Sequence, residues 1–160
     1  MYIRQKELFA GLDKRFVKEI MVMTEKKTYE KEAVIFREGS HASRLYVLVK
    51  GRVELTVGPN RQLAFTVNHA GEAFGWSSLL GRTAYAASAE CIEPTAVYRI
   101  DRVKLNMVLS RDPHNGLILI RHLAEMLGHR LHEAYKMIIV GSEVSESYST
   151  GQVMEITPAG

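Results

Sequence analysis

The chain has 160 residues, 46% apolar and 24% charged, a balance that suits one globular domain with appendages. Its net charge of +3 is mild and its basic residues alternate with acidic ones, as in Glu25-Lys26-Lys27, so no basic stripe for nucleic acid is expected. No apolar run reaches the length of a membrane span, Met1 to Lys6 lacks the apolar segment of a secretory signal, and the single cysteine, Cys91, excludes an intrachain disulfide, so the cytoplasm is the expected compartment.

Residues 4–26 read as helical. Leu8, Leu12, Phe16, Ile20 and Met23 recur at three- or four-residue steps and make one apolar face. Gly11 and Asp13 are expected to break this stretch into two short helices, with Asp13 as the cap of the second. From Lys27 the period changes to that of strands. Val34-Ile35-Phe36 is a short run closed by Glu38-Gly39-Ser40. Leu45, Val47, Val49, Val53, Leu55 and Val57 share one parity, while Arg52, Glu54 and Thr56 hold the other. Gly51 marks a bend between two strands, and Gly58-Pro59-Asn60 is a turn. Leu63, Phe65 and Val67 alternate in the next strand, and Pro94 separates a strand ending at Ile92 from Val97 to Ile100. Short strands at this spacing predict a mainly β fold over residues 27–100, an antiparallel β-roll or jelly roll with flanking helices.

Asp101 is the expected N-cap of a helix from Arg102 to Ser110. Pro113 suits the first turn of a last, long helix that runs to Val140. Leu117, Ile120, Ala124, Leu127, Leu131, Ala134 and Ile138 form a heptad-spaced stripe on it, and Leu119, Leu123, Met126, Arg130 and Met137 form a second. Two apolar stripes need two surfaces, one the helix's own β-domain and the other a partner helix. Residues 141–160 are small, polar and aperiodic and read as a flexible tail.

The chemistry concentrates in Gly71 to Glu93, GEAFGWSSLLGRTAYAASAECIE. Gly75 precedes Trp76 and the two serines, Ser77 and Ser78, which open a short helical turn with Leu79. A helix start offers backbone N–H groups that favour an anion. Arg82 lies in the loop Gly81-Arg82-Thr83, and small residues from Ala86 lead back into a strand.

With Leu8 to Leu12, Val34 to Gly39, Leu45 to Val53 and Gly71-Glu72-Ala73-Phe74-Gly75 in this order, residues from about Leu8 to Val140 resemble the cyclic nucleotide-binding domain of the catabolite activator protein superfamily. The resemblance implies that Gly71 to Ile92 is a phosphate-binding cassette. In the family this cassette carries a glutamate for the ribose hydroxyl, and an arginine followed by Ser or Thr for the cyclic phosphate. Here the glutamate position is Trp76, the arginine position is Tyr85 and the Ser/Thr position is Ala86. Positions that would face the base fall near Ala134 and Tyr135. Two missing charge-assisted hydrogen bonds, at roughly 1.5–3 kcal/mol each, would weaken binding by about two to four decades.

The candidate ligand-binding residues are therefore Phe74, Gly75, Trp76, Ser77, Ser78, Leu79, Arg82, Thr83, Tyr85, Ala86 and Ala87. Arg82 and Thr83 are weighed as a replacement anion grip against plain surface residues. Trp76 and Tyr85 are weighed as base-stacking rings against pocket fillers. The ligand expected is cyclic AMP, cyclic GMP, another anion or none, and no other cofactor is expected. The leading reading is a stand-alone regulatory module that forms a homodimer through Leu117, Ile120, Leu123, Leu127, Leu131, Ala134 and Ile138. The alternative is a ligand-free structural or interaction dimer with a filled pocket. A metal or haem sensor built on His122, His129 and His132 is a weaker third reading, since no carboxylate or cysteine accompanies them. Cys91 reads as a buried small hydrophobe. No catalytic motif is present, so no enzyme is expected. The residues after Val140 are too few for a helix-turn-helix domain, so no DNA binding is expected either.

Overall fold

Strands with one greasy face must bury it, and here two four-stranded antiparallel sheets do so against each other. The computed structural model describes residues 8–150. Helix α1 (Lys14–Met23) is followed by β1 (Thr24–Tyr29), β2 (Val34–Phe36), β3 (Arg44–Lys50), β4 (Val53–Val57), β5 (Gln62–Val67), β6 (Ala73–Phe74), a short 3-10 turn (Trp76–Ser78), β7 (Ser88–Cys91), β8 (Thr95–Asp101), α2 (Arg102–Arg111) and α3 (Pro113–Thr150). One sheet has the order β1-β8-β3-β6 and the other β2-β7-β4-β5. The chain passes from sheet to sheet along its course, as a jelly roll requires. The fold class expected from the sequence is the one observed.

Between the sheets lies one apolar cluster that includes Phe36, Leu48, Val53, Val67, Phe74, Ala89, Cys91 and Val97. Cys91 is fully buried, and burial pushes its thiol pKa up, which keeps it protonated and unreactive. Strand β3 departs from the expected alternation. Leu45 and Val47 are buried, but so are Tyr46 and Leu48 of the opposite parity. A strand covered on both faces loses its two-residue pattern.

Gly51 turns the chain between β3 and β4, which belong to different sheets. Its φ is +105°, and a Cβ there would stand 2.5 Å from Thr95 Oγ1 and 2.7 Å from the Pro94 carbonyl oxygen. Only glycine lets the two corners approach so closely.

Three boundaries differ from the sequence reading. The roll begins at Thr24, not Lys27, because β1 pairs with β8 along its whole length. Its sequence, TEKKTY, carries no apolar alternation, so nothing marked it as a strand. Asp13 stands at the start of α1, but its side chain does not cap that helix. Instead its carboxylate accepts from the buried Asn115 side-chain amide at 2.9 Å, and its N–H donates to Asn115 Oδ1 at 3.0 Å. Asn115 also donates to Asp112 at 2.7 Å, and this bond holds the Asp112 carboxyl below its ordinary pKa. Third, α3 continues through Thr150, so residues 141–150 are helical rather than a loose tail. The Ser142 hydroxyl donates to the Ile138 and Ile139 carbonyls of its own helix, the arrangement that lets a serine sit in a helix interior. The rest of the expected tail, 151–160, and the helical reading before Leu8 lie outside the described residues. The Asp101 cap is observed, with its carboxylate accepting from the Lys104 N–H at 3.0 Å.

The chain divides into two compact units, 1–124 and 125–160. The division falls within the span of α3, not at Val140.

Replacing Gly51 by alanine combines left-handed strain with contact on a backbone carbonyl, and is expected to cost about 2–4 kcal/mol. A urea midpoint equal to that of the parent chain would show the corner to be looser than the geometry implies.

Candidate ligand pocket

The cassette starts where β6 ends. Phe74 is fully buried in the roll. Gly75 follows with φ +71°, and a Cβ on it would meet Tyr46 at 3.0 Å, the Arg44 carbonyl oxygen at 3.1 Å and Phe36 at 3.3 Å. The chain can turn here, close against β3, because the residue is glycine. Ser77 and Ser78 are both buried. The Ser78 hydroxyl donates back to the Gly75 carbonyl at 3.0 Å, closing the turn on itself. Trp76 and Leu79 are half-buried at its rim.

Tyr85 is the residue around which the site is arranged. Its ring lies 3.9 Å from that of Phe36, centroid to centroid, at an interplanar angle of 17°. Phe36 in turn lies against Tyr46 and Phe74. The Tyr85 hydroxyl donates to the Arg44 carbonyl at 2.8 Å and accepts from the Arg44 N–H at 3.0 Å. Only 4% of the residue is exposed. Burial, with the neighbouring Tyr85 second, raises the pKa of the Tyr46 phenol and keeps it neutral. The position expected to hold the phosphate's cation is thus a buried aromatic whose polar end is already satisfied.

The backbone around it is equally committed. Tyr85 donates its N–H to the Ser40 carbonyl and accepts from the Gly39 N–H, both at 2.9 Å. Thr83 accepts from the Ala42 N–H at 2.9 Å. The Ala86 N–H donates to the Ser77 hydroxyl at 3.3 Å. That amide N–H is thereby spent within the protein. The half-buried Ala86 and Ala87 lead into β7.

Arg82 is exposed, and its carbonyl accepts from the Arg102 guanidinium at 3.3 Å. The loop is therefore tied at two consecutive main-chain carbonyls, those of Arg82 and Thr83. Arg99 is paired with Glu25 at 2.6 Å, directly opposite in the β1–β8 register, so it supplies no substitute grip. Arg37 is exposed. Glu72, a carboxylate just before the turn, is buried and accepts from the Asn68 and His69 N–H groups at 3.0 and 2.9 Å. It is engaged in the turn that precedes β6.

The structure brings Phe74, Gly75, Ser77, Ser78, Tyr85 and Ala86 together and leaves Arg82 and Thr83 outside. It adds Phe36, Tyr46 and Arg44, which the sequence reading did not include. The available signal was Tyr46, a large aromatic on the parity assigned to solvent. Of the histidines on α3, His122 places Nδ1 2.9 Å from the Leu8 carbonyl, while His129 and His132 are exposed. Among the described residues no three His, Cys, Asp or Glu side chains stand together as a metal site.

A two-sheet antiparallel roll with a glycine-led turn between β6 and β7 and flanking helices defines the class of fold. The family model described as the cyclic nucleotide-binding domain matches residues 26–112, and this chain belongs to that family. Among curated relatives, the cyclic AMP receptor protein of Thermus thermophilus is 30% identical over 79% of this chain and 58% of its own length. A potassium channel candidate of Rhodopseudomonas palustris is 26% identical over 66% of this chain and 26% of its own length. The chain thus spans between about a quarter and three fifths of these two relatives. A solved structure of a candidate cyclic nucleotide-binding protein of Geobacter metallireducens superposes with a TM-score of 0.72, at 30% identity, covering 82% of this chain and 96% of that one.

Tyr85→Phe keeps the ring stack but strands the Arg44 carbonyl and N–H. It is expected to cost about 1–3 kcal/mol, measured by urea unfolding. Unchanged or increased stability would mean that the hydroxyl pin contributes nothing.

Proposed function

We propose that this chain is a regulatory module of the cyclic nucleotide-binding type whose pocket, from Phe74 to Ala87, takes a cyclic nucleotide or another small anion only weakly, and whose α3 carries the output to a second copy or a partner. One observation supports the reading: Tyr85, which the sequence resemblance assigns to the cation's position, has both hydroxyl bonds spent on Arg44. A phosphate entering there would meet an Ala86 N–H already donated to the Ser77 hydroxyl, with Tyr85 in place of a guanidinium. Anions bound without a desolvated cation hold on by dipoles and hydrogen bonds alone, which favours affinities near millimolar. The reading includes no catalysis and a cytoplasmic setting. Among the described residues no helix is long and apolar enough to cross a membrane.

The same pin favours a second reading, in which the pocket is filled for good and the module is a ligand-independent dimer. Thermal-shift titration with cyclic AMP and cyclic GMP separates the two. At a ligand concentration equal to Kd the folded state gains only about 0.4 kcal/mol, so the first reading predicts a shift of roughly 1–2 °C that grows toward 10 mM. Arg82→Ala is expected to leave the titration unchanged. A flat curve to 10 mM selects the second reading. Saturation at micromolar ligand would overturn both.

For the output surface, α3 supports dimerisation through one stripe. Leu119 and Leu123 are buried, so Leu123 is spent within its own unit. Leu117, Ile120, Leu131, Ala134 and Ile138 are exposed, and Leu127 is half-buried. Their alternating three- and four-residue spacing is that of a two-helix seam. Leu131→Asp with Ile138→Asp is expected to convert a sedimenting dimer to monomer with unchanged β-sheet circular dichroism. A parent chain that sediments as monomer at 100 μM would remove the dimer from the proposal.

A further inference from the structure

Helices α1 and α2 pack against each other, burying Phe16 and Ile20 of the first and Leu105 and Val108 of the second. Beside that seam a groove of about 440 Å³ stays open. Its floor is apolar, with Met23 half-buried and Val108 buried. Val22 and Met107 stand in the same groove, 80% and 57% exposed. Single exposed apolar residues are ordinary, but two of them lining one recess with an apolar floor make a patch.

The charge on this groove is one-sided. Arg15 and Lys18 from α1, and Lys104 and Arg111 from α2, face a single carboxylate, Glu19. Setting these five aside leaves seventeen Lys and Arg against seventeen Asp and Glu in the rest of the chain. The groove therefore accounts for the chain's whole excess of +3. Of the carboxylates beyond the lining, Glu25 is paired with Arg99, while Asp112, bonded to the neutral Asn115 amide, keeps its charge near Arg15 at one end of the groove.

We propose that this groove docks a short amphipathic helix of a partner protein, apolar along one stripe and rich in Asp and Glu on both flanks. A helix with its side chains is a cylinder about 10 Å across, and a recess between two helices receives it along an i, i+3, i+4 stripe. Basic residues from both bordering helices would face the acidic flanks and set orientation and encounter rate. Single-stranded nucleic acid would find Val22 and Met107 where its bases call for aromatic stacking. A flat anionic bilayer favours a raised apolar face over a recess.

The test uses the full chain and two labelled helical peptides with identical leucine stripes, one flanked by glutamate and one by lysine, followed by fluorescence anisotropy. The glutamate peptide is expected to bind at least roughly tenfold tighter than the lysine peptide, and to weaken several-fold between low and high salt. Lys104→Glu with Arg111→Glu, on exposed positions, is expected to weaken it by about tenfold at an unchanged unfolding temperature. Met107→Asp is expected to do the same through the floor. Equal binding of both peptides, binding of neither, or indifference to the charge reversal would overturn the proposal. So would a short DNA duplex that outcompetes the glutamate peptide. A change in the sedimentation of the protein alone on Lys104→Glu/Arg111→Glu would assign the groove to a second copy instead.

Discussion

The stack of Tyr85 on Phe36, with the Tyr85 hydroxyl bonded to both main-chain groups of Arg44, is the constraint on which the rest of this site depends. A guanidinium in that place would carry a charge out of water and need an anion to justify it. A phenol needs one donor and one acceptor, and the start of β3 offers both. The cassette is therefore closed by the protein itself. Its backbone is tied to the Gly39–Ala42 loop and its first small residue, Ala86, to Ser77.

Charge has moved accordingly. Around the turn, Arg99 is neutralised by Glu25, Glu72 is folded into the preceding turn, and Arg82 points its backbone, not its charge, at a neighbour. The uncompensated cations collect instead between α1 and α2. These are the elements that flank the roll, so a protein partner acting there would engage the module without entering the pocket. The exposed heptad stripe of α3 offers a further surface. Under the proposed reading of a weak or filled pocket, these two faces are the candidates for its contacts with other proteins.

Much of the architecture was legible because hydrophobic periodicity is a local property. The strands at Val34–Phe36, Arg44–Lys50, Val53–Val57, Gln62–Val67, Ser88–Cys91 and Thr95–Asp101, the Asp101 cap and the start of α3 at Pro113 follow from spacing that neighbouring residues enforce, whereas the two-residue strand β6 carried no such signal. Strand β1 was not legible, since its stability comes from pairing with β8 some seventy residues away and not from its own pattern. Nor was the helical stretch after Val140, which begins with Ser142 bonding its hydroxyl to the helix's own carbonyls.

The order of elements and the family were determined by the sequence alone, and the resemblance drew attention to Trp76 and Tyr85, because each is a matter of which residue stands where along the chain. What Tyr85 does was decided only in three dimensions. Phe36, Arg44 and Tyr85 are separated by up to forty-nine positions, and no local pattern says that the ring turns inward onto Phe36 or that Arg44 offers its main chain to the hydroxyl. The same holds for the groove between α1 and α2, whose cations look evenly mixed with acids along the chain and become one-sided only when the two helices are packed together.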